Sequence, residues 1–322
     1  MSQLISLFDL DPEAYAAHPI HGDERTYSET NCYVDCLVEL VHAAGLEADA
    51  MLGGAVAADF ELDQWTFFKP TPDDLFRLYG IDLHEVQPYR GFPALIATRL
   101  AAGQTVMPEV DSFYLPDVVA TAYRTDHVKS TIIAESIDED AKVLRYFHNT
   151  GYHELSGEDY DQLFATYSGD GHLPTYVELL RLGAGPVPTG DALKVVAREL
   201  LADYLARRPA DNPFTRFSAQ LEVDLPALIE GSTADYNAYA FHNPRMVGAS
   251  MELLAGHVRW LFAENGQSAG EKAAAQLDDV VGGSKMLLFR LARQRAFDVA
   301  GVVGPMAEAY DAAVTELDSL VG

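Results

Sequence analysis

The chain has 322 residues, 48% of them hydrophobic, enough for one large domain or two ordinary ones with separate cores. Its 22 lysines and arginines against 49 aspartates and glutamates leave a net charge of -27, which repels phosphate backbones and anionic headgroups, so neither nucleic acid nor a membrane is expected as a partner. Two cysteines exclude a disulfide framework, no apolar run reaches the roughly 20 residues that cross a bilayer, and the acidic first residues make no signal peptide, so free thiols in a cytoplasmic protein are expected.

Residues 30–45 (TNCYVDCLVELVHAAG) predict a helix, because Tyr33, Cys36, Leu37, Leu40, Val41 and Ala44 fall on one apolar stripe. Thr30 or Asn31 supplies the cap and Gly45 the stop. A second helix starts at Thr71, where a cap, a first-turn proline and early acids precede Leu75, Leu78 and Tyr79. A third covers residues 93–102 and ends at Gly103. Strands are expected over 64–68, 83–86 and 105–110, and two β-rich runs, 127–134 and 142–148, read as a hairpin joined by the polar stretch 135–141. Ser156 opens a further short helix. The segment 183–190 (GAGPVPTG) has almost nothing to bury and marks a domain boundary. An α+β domain is therefore expected over 1–184. An all-α domain is expected over 185–322, with helical periodicity at 191–208, 214–230, 245–265 and 271–319.

Cys32 falls in the first turn of its helix, where unpaired N–H groups favour an anion, while Cys36 belongs to the apolar stripe. A cysteine nucleophile needs a base and a group to orient that base. His127, at the start of a predicted strand, is the preferred base, and Asn149, just past the next strand, is placed to accept from its ring, with His148 as the alternative. Each also has a plain structural reading, as a surface histidine or a turn asparagine. Cys32, Cys36 and His42 lack a fourth ligand at zinc spacing, so no metal is expected. Phe241 to Arg245 (FHNPR) interrupts a helix; it reads first as a helix–helix turn and second as a pocket lining that includes Arg245.

The stretches ETNCYVD, DFELDQWTFFKP, LYGIDL, EVDSFYLPD, YRTDHVKSTI, YFHNTGYHEL and FHNPRMVGAS resemble a bacterial family encoded beside amino acid:carrier-protein ligases. More distantly, the first 180 or so residues are similar to the acyltransferase of butirosin biosynthesis and to bacteriocin-processing papain-like peptidases. The resemblance implies a papain-like core, a helix packed on an antiparallel sheet, with Cys32 as nucleophile, His127 as general base and Asn149 in the orienting position. The interval from His127 to Asn149 is longer than in the peptidases, and Asp111, in an aspartate motif shared with the butirosin-type enzymes, is the second candidate for orienting the base or binding an amine. Gln64, in DQW, is a candidate oxyanion donor or a buried structural amide.

The activity so implied is acyl transfer: Cys32 takes an aminoacyl or other acyl group from a carrier protein and passes it to a small-molecule amine. No cofactor is expected beyond the carrier's phosphopantetheine arm. Arg90, Arg99 and Arg124 are candidates for a patch that meets an acidic carrier. The alternatives are a cysteine hydrolase on the same residues and a non-catalytic binding protein with the same core.

Overall fold

The computed structural model describes residues 4–89, 91–165, 167, 175–264 and 267–322, in which α-helices and antiparallel sheets are mixed. Strand β1 (Ile5–Ser6) is followed by helix α1 (Cys32–Ala43) and the hairpin of β2 (Phe60–Glu61) and β3 (Gln64–Trp65). Next come helix α2 (Pro72–Tyr79), β4 (Asp82–Glu85), α3 (Phe92–Ala101) and β5 (Thr105–Asp111). Strands β6 (Lys129–Thr131), β7 (Ile133–Asp138), β8 (Val143–His148) and β9 (Gly151–Ser156) lead to α4 (Gly157–Ala165) and β10 (Val177–Arg181). The remainder holds helices α5 (Asp191–Arg207), α6 (Pro213–Glu230), α7 (Thr233–Ala240) and α8 (Met246–Leu261). The short strands β11 (Ala263–Glu264) and β12 (Gln267–Ser268) separate these from α9 (Glu271–Leu291) and α10 (Val299–Val321).

Contacts divide the chain into two compact units, Met1–Gly22, Asn31–Ala48 and Thr71–Pro188 in one, Asp23–Thr30, Asp49–Pro70 and Thr189–Gly322 in the other. The sequence predicts a contiguous division after residue 184. Two N-terminal segments instead join the C-terminal helices, because their aromatic side chains find partners there: Phe60 meets Phe217 at 5.3 Å and Trp65 meets Phe214 at 4.9 Å between ring centroids. The Tyr310 hydroxyl also donates to the Val56 carbonyl at 3.2 Å.

The first unit contains two four-stranded antiparallel sheets, ordered β1-β7-β8-β9 and β4-β10-β5-β6. The run expected as one strand over 127–134 changes sheet at Ile132, whose N–H donates to Pro108 at 3.2 Å. Strand β7 then extends into the stretch expected to be a polar loop. Glu135 is fully buried there, its carboxylate accepting from Ser6 Oγ and Phe8 N at 2.7 Å each and from the Tyr152 hydroxyl. Side chains of α3 and α4, including Phe92, Ile96, Leu100, Leu163 and Phe164, share a core with Leu144, Tyr146 and Leu155 of the sheet.

Helix α1 packs against β6, β7, β8 and β9. Asn31 caps it by accepting from Val34 N at 3.0 Å, and Gly45, at φ +71°, closes its far end. Leu37 and Leu40 are fully buried, each contributing about 1.5–3 kcal/mol. The side that reads as polar is buried as well, since Asp35 and Glu39 face His21. Burial alone would lower the His21 pKa, but hydrogen bonds and charge from the two carboxylates outweigh it and lift the ring to about 9.

The second unit is built mainly of helices, with α8, α9 and α10 packed in succession. The run expected to be helical over 271–319 is two helices, and Asp298 starts the second by accepting from Gly301 N at 3.0 Å. Phe241–Arg245 is a π-helical turn leading into α8, with the Ser284 hydroxyl donating to Pro244 O at 2.7 Å. Among the described residues no helix is long and apolar enough to cross a membrane.

Candidate active site

The two cysteines have different surroundings. Cys32, the first residue of α1 after its Asn31 cap, is half-buried. Cys36 is fully buried, its Sγ donating to Thr131 O at 3.1 Å and Phe147 O at 3.4 Å, and burial pushes its thiol well up. It is a core residue.

Strand register determines which side chains share the face under the start of α1. Residues paired across antiparallel strands project to the same side, as do residues two apart on one strand. The pairs Glu178↔Glu85, Glu178↔Met107, Glu109↔Thr131 and Asp111↔Lys129 therefore put Glu85, Glu178, Glu109, Asp111 and Lys129 on one face. The Tyr33 hydroxyl, next to Cys32, lies against the Glu178 carboxylate, so the first turn of α1 covers this same face.

His127 stands there too, two residues before Lys129. Its Nδ1 donates to Asp111 Oδ2 at 2.6 Å, and its ring stacks on Phe113 at 4.3 Å with only 12° between planes. Asp111 is itself held: Oδ1 accepts from Phe113 N at 3.1 Å, and its N–H donates to the Tyr167 hydroxyl at 2.8 Å. The imidazole is 65% exposed against 18% for Asp111, and among the described residues Nε2 makes no hydrogen bond. An oriented imidazole whose Nε2 has no hydrogen-bond partner among the described residues can accept a proton from a group brought within hydrogen-bond reach.

The carboxylate that meets His127 is thus Asp111, whereas the expected partner Asn149 occupies the turn between β8 and β9 at φ +46°, with its backbone hydrogen-bonded to the Cys36 thiol. His148 is 1% exposed and belongs to an inward chain. Its Nδ1 donates to Asp117 Oδ2, leaving Nε2 to accept from the Ser130 hydroxyl at 2.6 Å, and the Tyr146 hydroxyl donates to Asp117 Oδ1. Burial would raise the Asp117 carboxyl, but His148 and Tyr146 outweigh it and hold it below the usual range. Ser130 alternates with Lys129 along β6 and so faces away from His127, into the interior. This serine–histidine–aspartate line joins β6 to β8.

Two family models cover the chain, the DUF1839 N-terminal domain over residues 16–182 and the DUF1839 C-terminal domain over residues 190–319. The chain belongs to the DUF1839 family. No curated protein matches it. The DUF1839 N-terminal match contains Cys32, Asp111, His127, His148 and Asn149, and also Gln64, which the contacts assign to the second unit.

Gln64 starts β3 and is exposed. Arg245, in the DUF1839 C-terminal match, donates to Glu29 O at 2.9 Å and Thr30 O at 3.3 Å and lies 4.7 Å from the Phe241 ring. Of the expected basic patch, Arg90 lies outside the described residues. Arg99 donates to Gln104 at 3.3 Å, and Arg124 binds Asp159 and Gln162 while covering the Phe113 and Tyr114 rings at 5.7 Å. Arg124 therefore braces the platform on which His127 stacks. Sequence reasoning missed Phe113, Ser130, Asp117 and Glu178. The first three lie within the EVDSFYLPD and YRTDHVKSTI stretches, so membership of those motifs was the one available signal. Among the described residues no group of His, Cys, Asp or Glu is arranged to hold a metal ion.

Proposed function

We propose that this DUF1839 chain is a cysteine-dependent acyltransferase with a papain-like core, working on thioesters presented by a carrier protein. The observation that carries the reading is the His127–Asp111 pair on the sheet face covered by the first turn of α1, where Cys32 begins the helix. His127 Nε2 takes the Cys32 proton, and Asp111 stabilises the imidazolium that forms. The thiolate adds to the thioester carbonyl of the acylated phosphopantetheine arm, and free N–H groups at the α1 start favour the oxyanion. Collapse breaks the carbonyl–sulfur bond of the donor, the pantetheine sulfur leaves with the proton from His127, and the acyl group stays on Cys32. A small-molecule amine then adds to this new thioester, His127 takes its proton, and the Cys32 sulfur departs as the amide forms. Exchange between two thioesters is nearly isoenergetic, so orientation and exclusion of water do most of the catalysis. A reduced thiol suits a cytoplasmic setting. No cofactor beyond the carrier's arm enters.

Intact-protein mass spectrometry after mixing with aminoacyl-loaded carrier protein tests the proposal. The wild type gains the acyl mass, Cys32→Ala does not, and added amine accelerates discharge. An increment that persists in Cys32→Ala moves the chemistry elsewhere, and amine-independent release of free acid makes the protein a hydrolase.

A further inference from the structure

Among the described residues, the sheet face that carries His127 holds one buried carboxylate with no positive partner. Glu109 is paired with Lys129 at 3.0 Å, and Asp111 with His127. Glu178 is only 7% exposed, yet the groups at its carboxylate are tyrosine hydroxyls: Tyr176 donates to Oε1 at 2.8 Å and Tyr33 approaches from α1. Among the described residues Oε2 accepts no hydrogen bond. A buried carboxylate is ordinarily neutralised by a cation or satisfied by several donors. The fully buried Glu135 of the same unit, with three donors, shows that norm.

The surroundings of Glu178 attract cations. Its cross-strand partner Glu85 is exposed at the rim, Glu109 lies beside it on the same face, and Tyr176 is 40% exposed. The groups that face it from the packed elements are thus Glu85 on β4, Met107 and Glu109 on β5 and Tyr33 on α1. Tyr33 is bonded through the backbone to Cys32, so whatever sits at Glu178 is next to the start of α1.

We infer that Glu178, with Tyr33 and Tyr176, forms a subsite for a primary ammonium group of the substrate, beside the Cys32 end of α1. The location rests on the acyl-transfer reading, which supplies two sources of such a group: the α-ammonium of an aminoacyl donor and the amine acceptor before it loses its proton. The Oε2 lone pairs take an ammonium N–H, and the two phenols hold the carboxylate in place. A neutral acyl group gains nothing there, so the site selects aminoacyl over plain acyl donors, or cationic over neutral acceptors.

Calorimetric titration of the intact protein at pH 7 tests this without any acyl chemistry. L-alaninamide stands for the aminoacyl group, n-butylamine for an acceptor, and lactamide and 1-butanol are their neutral counterparts. At least one cation is expected to bind tenfold or more tightly than its neutral counterpart, and Glu178→Gln is expected to abolish that preference while leaving the weak neutral binding unchanged. The exposed-loop variant Glu139→Gln serves as the control for general acidity and retains the preference. Preference for alaninamide assigns the site to the donor, and preference for butylamine assigns it to the acceptor. Equal affinity for cation and neutral compound in the wild type overturns the subsite, as does a preference that survives Glu178→Gln. Should the variant not fold, the wild-type ratio decides. Because the titration needs no reactive thiol, a failed acylation at Cys32 and a failed ammonium site give different results.

Discussion

Replacing Asp111 by Asn tests how His127 is oriented. The change keeps size and planarity but removes the charge that meets Nδ1 at 2.6 Å. A hydrogen bond to a charged group contributes roughly 1.5–3 kcal/mol, and each 1.4 kcal/mol is a factor of ten in rate. The predicted loss in Cys32 acylation rate is therefore about 10- to 150-fold. Buried triads lose more on this substitution, but Phe113 stacks on His127 and Arg124 braces Phe113, so the ring keeps part of its orientation. Stability should fall by less than about 1 kcal/mol, since the pair is largely solvated and only the Phe113 N–H contact is weakened. The assay is single-turnover acylation, with circular dichroism melts as the fold control. Asn149→Ala is the companion variant: it removes no contact with His127, but alanine lacks the short polar side chain that lets asparagine sit at φ +46°, so it should cost about 1 kcal/mol in stability and leave the rate within twofold. A rate that survives Asp111→Asn and collapses in Asn149→Ala would refute the assignment.

Four further outcomes are expected. Iodoacetamide should label Cys32 and spare Cys36 in the folded protein, as read by peptide mapping, because burial pushes the Cys36 thiol up and closes it off. Ser130→Ala should cost about 1–3 kcal/mol in urea unfolding by stripping a buried partner from His148, with no change in Cys32 labelling. The His21 contribution should be fully present below pH 6.5 and be lost as pH rises through about 9, because its folded pKa is raised; about 3 kcal/mol of wild-type stability should fade over that window, and the slope should vanish in His21→Gln. Gly80→Ala should destabilise by about 2–4 kcal/mol in thermal melts, since it combines φ +61° with a β-carbon 2.5 Å from the Gly185 carbonyl oxygen.

Features decided by neighbouring residues were legible in the sequence. The Asn31 cap, the Thr71 cap and the stops at Gly45 and Gly103 are short-range hydrogen bonds and dihedral preferences, and α1, α2 and α3 lie where those signals put them. The β6-to-β7 change of sheet was not legible, because 127–134 reads as one β-rich run whose division at Ile132 depends on pairing with β5 and β8. Glu135 read as loop because the groups that satisfy it come from residues 6, 8 and 152. Asp35 and Glu39 fall outside the apolar stripe read for this helix, and their burial depends on His21, which lies outside the helix. The site divides similarly. Cys32 and His127 stand out by local position, while Asp111 entered as a second candidate only through the resemblance, because its contact with His127 depends on the register of β5 with β6.

The discontinuous second unit bears on how the gene can be cut. A fragment ending near residue 184 would carry Phe60 and Trp65 without Phe214 and Phe217, and Val56 without Tyr310. Segments 23–30 and 49–70 flank α1 in sequence, so the loose ends of such a fragment would adjoin the helix that begins with Cys32. On the ribosome the same stretches must wait for partners made some 150 residues later, and sticky aromatic surface stays uncovered in the interval. For expression, trimming should respect both pieces of the unit, and the full chain is the smallest safe choice.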